Sequence, residues 1–135
     1  MLWGVIAVSL GLVVGGCVGH LAGLVRVRGV WQSATAGLLS TWLTTLAMAG
    51  VVILRERAAG YGIFDAGAFR WGSPSDVAWF VLGLVLWLAL FAGLHLLLAR
   101  FGPPRMAPRL PVVVGCIGSV VVSVPFAWVM SHVRF

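Results

Sequence analysis

The sequence predicts an all-α integral membrane protein with four transmembrane helices in a compact bundle. Three observations carry this. Of 135 residues, 61% are hydrophobic and only 9% are charged, where a soluble domain carries about a quarter charged residues. The mean hydropathy is +1.11. Four apolar runs each reach the ~20 residues that a helix needs to cross roughly 30 Å of hydrocarbon.

The first span covers about residues 2–25 and is closed by Arg26 and Arg28. Its start, MLWGVIAVSL, has no basic n-region, so it reads as a retained span and not as a removed signal peptide. The second covers about 33–54 and is closed by Arg55, Glu56 and Arg57. The third covers about 75–99, with the apolar run Val77 to Ala99 closed by Arg100. The fourth covers about 110–131 and is followed by His132 and Arg134. The whole chain, 1–135, reads as a single membrane domain.

Short segments join spans one and two, and spans three and four. In the latter, RFGPPRMAPR, paired prolines bar a helix. Residues 58–74 form a longer, glycine-rich connection with Tyr61, Phe64, Phe69 and Trp71, the aromatic content of an interfacial loop. It ends in SPSD: Ser73 as cap, Pro74 in the first helical position and Asp76 in the third start span three near Pro74.

All nine basic residues are arginine, against Glu56, Asp65 and Asp76, for a net charge of +6. They stand at the ends of apolar runs and not on one stripe, which marks membrane flanks and argues against a nucleic-acid surface. The lack of lysine fits a GC-rich genome, and the expected location is a bacterial inner membrane. With four spans, both termini and the long connection share one side, which holds Arg55, Arg57, Arg70 and Arg134. The other side holds Arg26, Arg28, Arg100, Arg105 and Arg109. The positive-inside rule separates these sides by a single arginine; the aromatic connection tips the expectation toward extracytoplasmic termini. So small a bias also permits insertion in both directions and an antiparallel dimer.

In lipid, helices associate by close packing, which small residues permit. Gly11, Gly15, Gly19 and Gly23 recur every fourth residue in span one. Each step of four advances about 40°, so the series winds slowly around the helix. Span four has Gly115, Ser119, Ser123, Ala127 and Ser131 at the same spacing, and span two has Ser33, Gly37, Thr41, Thr45 and Ala49. Span three is mostly Leu, Val and aromatics, which makes it the span most exposed to lipid. Pro125 interrupts the hydrogen bonding of span four, and Ser123 is placed to help satisfy the freed carbonyl.

Ionisable residues inside a membrane tend to mark function. His20 and His95 stand at similar depth, roughly 7–8 Å inside the boundary by helix rise. Two histidines on different helices could hold a haem. Cys17, His20, His95 and Cys116 fall in one half of the membrane and invite a metal reading. The helix angles oppose it: His20 and Cys17 point about 120° and 180° from the centre of the glycine arc, whereas Cys116 falls within the small-residue arc of span four. No metal site is expected.

The segment GGCVGHLAGLVR, Gly15 to Arg26, resembles the first-span glycine–arginine pattern of small four-span fluoride channels. That family also carries an asparagine in span two and a Thr/Phe/Ser-rich break in span three. This chain has no asparagine and an unbroken third span, so the resemblance is confined to that segment.

No apolar run contains an acidic residue, and no nucleophile–base motif or phosphate-binding glycine loop is present in the sequence. The expectation is a non-catalytic subunit that contacts lipid and other membrane subunits, or itself, through Gly11, Gly15, Gly19, Gly23, Gly115, Ser119 and Ser123. A small channel or transporter and a haem-bearing subunit using His20 and His95 are the alternatives.

Overall fold

The computed structural model describes residues 2–24, 29–58 and 74–132. Within them the chain forms α1 (Leu2–Leu24), α2 (Val30–Ala58), α3 (Pro74–Phe101) and α4 (Leu110–His132). All four are long and apolar enough to cross a membrane, and they pack as a bundle. The chain is an integral membrane protein in contact with lipid. The 58–74 connection, apart from its ends in α2 and α3, and the Ser73 cap lie outside the described residues.

Successive helices run antiparallel. The most extensive interface joins α1 to α4, followed by α2 with α4, then α1 with α2. These three form the close-packed centre. α3 lies against α2 and touches α4 lightly; 11% of its span is buried, against 28%, 39% and 39% for the others. Its outward face is Leu, Val and Trp, which lipid solvates as well as protein would.

The α3–α4 connection departs from the expectation of a helix-free segment. Pro104–Arg109 forms a short 3-10 helix, with Pro103 extended (φ −64, ψ 143) and Met106 N–H donating to Pro103 O at 2.9 Å. Pro104 takes the first helical position, where proline's fixed φ suits the turn and its missing N–H has no partner to lose. The prolines therefore bar an α-helix but start a tighter one. Gly29, at φ +107, sits just before α2 in the left-handed region that favours glycine.

Pro125 lies inside α4, which is assigned without interruption to His132. Ser123 Oγ donates to Val120 O at 3.2 Å, one residue short of the carbonyl that the proline frees.

Candidate functional site

The centre of the bundle is a junction of small residues on three helices. Gly11, Gly15 and Gly19 of α1 are buried against α4. A Cβ on Gly15 would stand 2.6 Å from Gly115 O and 2.7 Å from Cys116 Cα; one on Gly19 would stand 2.7 Å from Pro111 O. A Cβ on Gly11 would meet Ser123 Oγ at 3.2 Å and Ser119 O at 3.3 Å. Gly23 meets nothing within 4 Å. Two steps of four turn Gly23 about 80° around α1 from Gly15, and it is exposed. The contact series on α1 thus ends one step before the glycines do.

From α2, three hydroxyls cross to α4. Ser40 Oγ lies 2.8 Å from Gly115 O and Thr41 Oγ1 lies 3.3 Å from Gly118 O, each also bonding Gly37 O of its own helix. Thr44 Oγ1 donates to Ser119 Oγ at 3.1 Å. A Cβ on Gly118 would stand 2.7 Å from Gly37 O. Gly115 therefore serves two helices: its bare Cα admits the α1 backbone and its carbonyl accepts from α2. Backbones this close let short hydroxyls reach across, the arrangement expected where small residues replace a hydrophobic driving force.

α3 docks on this centre by other means. Phe91 is fully buried with Ala34 and Val114, seated on Gly37, whose Cβ would stand 2.5 Å from the ring. One turn on, His95 Nδ1 and the buried Ser33 Oγ are 2.7 Å apart, with either the hydroxyl or the imidazole N–H donating. Nearer the other end, Trp42 and Phe80 meet edge to face at 5.1 Å. Replacing Ser33 by Ala is expected to lower stability by about 1 kcal/mol, the usual size of an interhelical hydrogen bond in a membrane. SDS titration of the protein in mixed micelles measures it, and an unchanged midpoint would show that this pair does not clamp α3.

The two span histidines face different surroundings. His95 is buried against α2, and His20 is exposed on α1. The cysteines divide likewise: Cys17 is exposed, while Cys116 Sγ lies 3.9 Å from Leu12 O of α1. Among the described residues no three His, Cys, Asp or Glu side chains gather at one point.

Several residues that build the junction were not in the sequence-derived set. Ser40, Thr44 and Gly118 are buried, whereas Thr45 and Ala49, which were, turn outward; Thr45 Oγ1 bonds Thr41 O of its own helix. The Gln32 side chain donates from Nε2 to Ala22 O and ties the start of α2 to the end of α1. Phe91 gave no sequence signal beyond being one aromatic among many. No protein-family model, curated protein or solved structure matches the chain.

Proposed function

We propose that this protein is a non-catalytic membrane subunit that packs into a larger membrane complex or a homo-oligomer. One observation carries the reading. On the face of α1 turned away from α4, the exposed imidazole of His20 lies within an apolar span, between Gly16 and Gly23, which have open space beside their Cα atoms. An ionisable group facing hydrocarbon is costly, and open glycines one turn to either side let a second helix approach closely. Since Gly11, Gly15, Gly19, Gly115, Ser119 and Ser123 are occupied within the chain, the contact with partners falls to this outward face. In this reading the chain resides in a bacterial inner membrane with its termini extracytoplasmic. It performs no catalysis and engages no nucleic acid.

Cys17 is exposed beside His20 and supplies the test. In a Cys116→Ser background, a maleimide–benzophenone on Cys17 is expected to cross-link a second chain in native membranes. Gly16→Leu combined with His20→Leu should abolish the product. A chain that stays monomeric after irradiation would argue against the subunit reading.

A second reading is a small channel or transporter, including a dual-topology dimer. The buried His95–Ser33 pair favours it, because a buried intramembrane imidazole is a candidate for a proton or ion path. Reporter fusions at Phe135 that report one side only would remove dual insertion, and flux into liposomes tests transport.

A further inference from the structure

The outward face of α1 repeats with a period of seven. Ile6, Leu10, Val13, Cys17, His20 and Leu24 follow one another by alternating steps of four and three, the a and d positions of a heptad. Five of them are exposed and Leu10 is half-buried, so among the described residues nothing covers this seam. Ser9, Gly16 and Gly23 flank it, one in each heptad, and both glycines have nothing within 4 Å of an added Cβ. Gly11, Gly15 and Gly19, which face α4, lie on a different side of the helix. A seven-residue seam with small flanking residues suits two helices that run close and parallel. In a parallel two-fold pair each a or d residue meets its own counterpart.

The seam contains two residues with metal-ligating atoms. Cys17 and His20 stand three apart, which sets their Cβ atoms about 5–6 Å from each other on one helix face. From there a sulfur and a ring nitrogen can reach one ion at about 2.3 and 2.0 Å, the lengths of zinc bonds. One chain supplies half of a tetrahedral set, and among the described residues no third His, Cys, Asp or Glu joins the two. Charge points to the missing half. A single thiolate leaves a divalent ion with one net positive charge inside an apolar span, which is costly. A second thiolate cancels it, and two neutral imidazoles add none.

We propose that Cys17 and His20 of two parallel copies of this chain hold one zinc ion on the two-fold axis between them. The site is incomplete without the second copy. It differs from a site within one chain, which the helix angles oppose, because all four ligands come from the same face of α1. Binding breaks two S–H bonds, forms two metal–sulfur bonds and releases two protons to water. His20 stands about 6 Å by helix rise from Leu24 at the end of α1, a short path for the ion and the protons. An antiparallel pair would set the two His20 residues near opposite membrane surfaces and build no site. The proposal rests on the subunit reading and names a second copy as the partner.

The test is cobalt titration of the full chain purified in mild detergent, with divalent cobalt as the spectroscopic stand-in for zinc. A thiolate-to-cobalt charge-transfer band and the intense visible bands of tetrahedral cobalt are expected. They should saturate at one ion per two chains and disappear when zinc is added. Cys17→Ser should abolish the charge-transfer band, His20→Ala should leave the cobalt open to a weak chelator, and Cys116→Ser should change neither. Cys17 and His20 are both exposed, so these variants should keep the helical circular dichroism of the parent. No charge-transfer band in the parent, saturation at one ion per chain, or a band that survives Cys17→Ser would each overturn the proposal. A maleimide–benzophenone on Cys17 occupies the thiol, so its cross-link reports the contact without the metal. Two copies cross-linked by that reagent, in a protein that gives no cobalt band, would remove the metal site and leave the subunit reading standing.

Discussion

Gly15→Ala is expected to destabilise the bundle by about 2 kcal/mol, while Gly16→Ala, one residue along the same helix, leaves it unchanged or slightly more stable. The two substitutions add the same methyl group and the same helix propensity, worth up to about 1 kcal/mol. They differ in what the methyl meets. At Gly16 there is nothing within 4 Å. At Gly15 it would stand 2.6 Å from Gly115 O and 2.7 Å from Cys116 Cα, both backbone atoms that no rotamer change can move. The helices must separate, with a loss near the upper end of the about 1–3 kcal/mol typical of overpacking. Separation also lengthens the Ser40–Gly115 hydrogen bond, because Gly115 lies between the two partner helices. Gly115→Ala creates the same clash from the other side, since its Cβ would stand 2.6 Å from Gly15 O. Once one methyl has parted the helices the second enters the gap, so the double variant should lose clearly less than the sum. SDS titration of all four variants measures this. Equal midpoints for Gly15→Ala and Gly16→Ala would refute the α1–α4 crossing described above.

How much of this could be read in the sequence follows from helix geometry. Span number and approximate limits were legible because bilayer thickness fixes a length and composition reveals it. That small residues line three helices was legible too. Which of them meet was not. A strict four-residue series drifts about 40° per step, so it leaves any flat interface after a few turns. On α2 the buried positions include Ser33, Gly37, Ser40, Thr44 and Met48, where one step of three among steps of four keeps the series on one face of a 3.6-residue helix, while Thr45 and Ala49 rotate out. On α1 the drift is tolerated to Gly19 and carries Gly23 to an exposed position with nothing within 4 Å. The relation of His20 to His95 was also beyond sequence, because equal depth fixes neither azimuth nor which neighbour a helix faces. The small residues of α2 suggested a partner backbone, yet Gly37 receives both the Gly118 region of α4 and a phenyl ring from α3.

That ring leads to the second large effect. Phe91→Ala is expected to loosen α3 from the rest of the bundle. Truncating a buried Phe in a soluble core costs about 3–5 kcal/mol, part of it the transfer of apolar surface from water. In a bilayer the transfer part is largely absent, since lipid tails are as apolar as a core. What remains is lost contact with Gly37, Ala34 and Val114, so a loss of about 2 kcal/mol is expected. For α3 this is a large share, because it is the least buried span and its other anchors are the His95–Ser33 bond, the Trp42–Phe80 contact and the partly buried Trp87, Leu88, Ala92, Leu94 and Leu98. Gly37→Ala should act in the same direction by driving the ring from its seat, for its Cβ would stand 2.5–2.8 Å from three ring carbons. Combined with Phe91→Ala it should cost little more than Phe91→Ala alone, since the added methyl then occupies the vacated space. The α1–α4 crossing touches neither residue and should survive: oxidative cross-linking of Leu12→Cys with the native Cys116, in a Cys17→Ser background, ought to proceed as in the Phe91 parent. Loss of that cross-link in Phe91→Ala would mean that α3 is integral to the core and not appended to it.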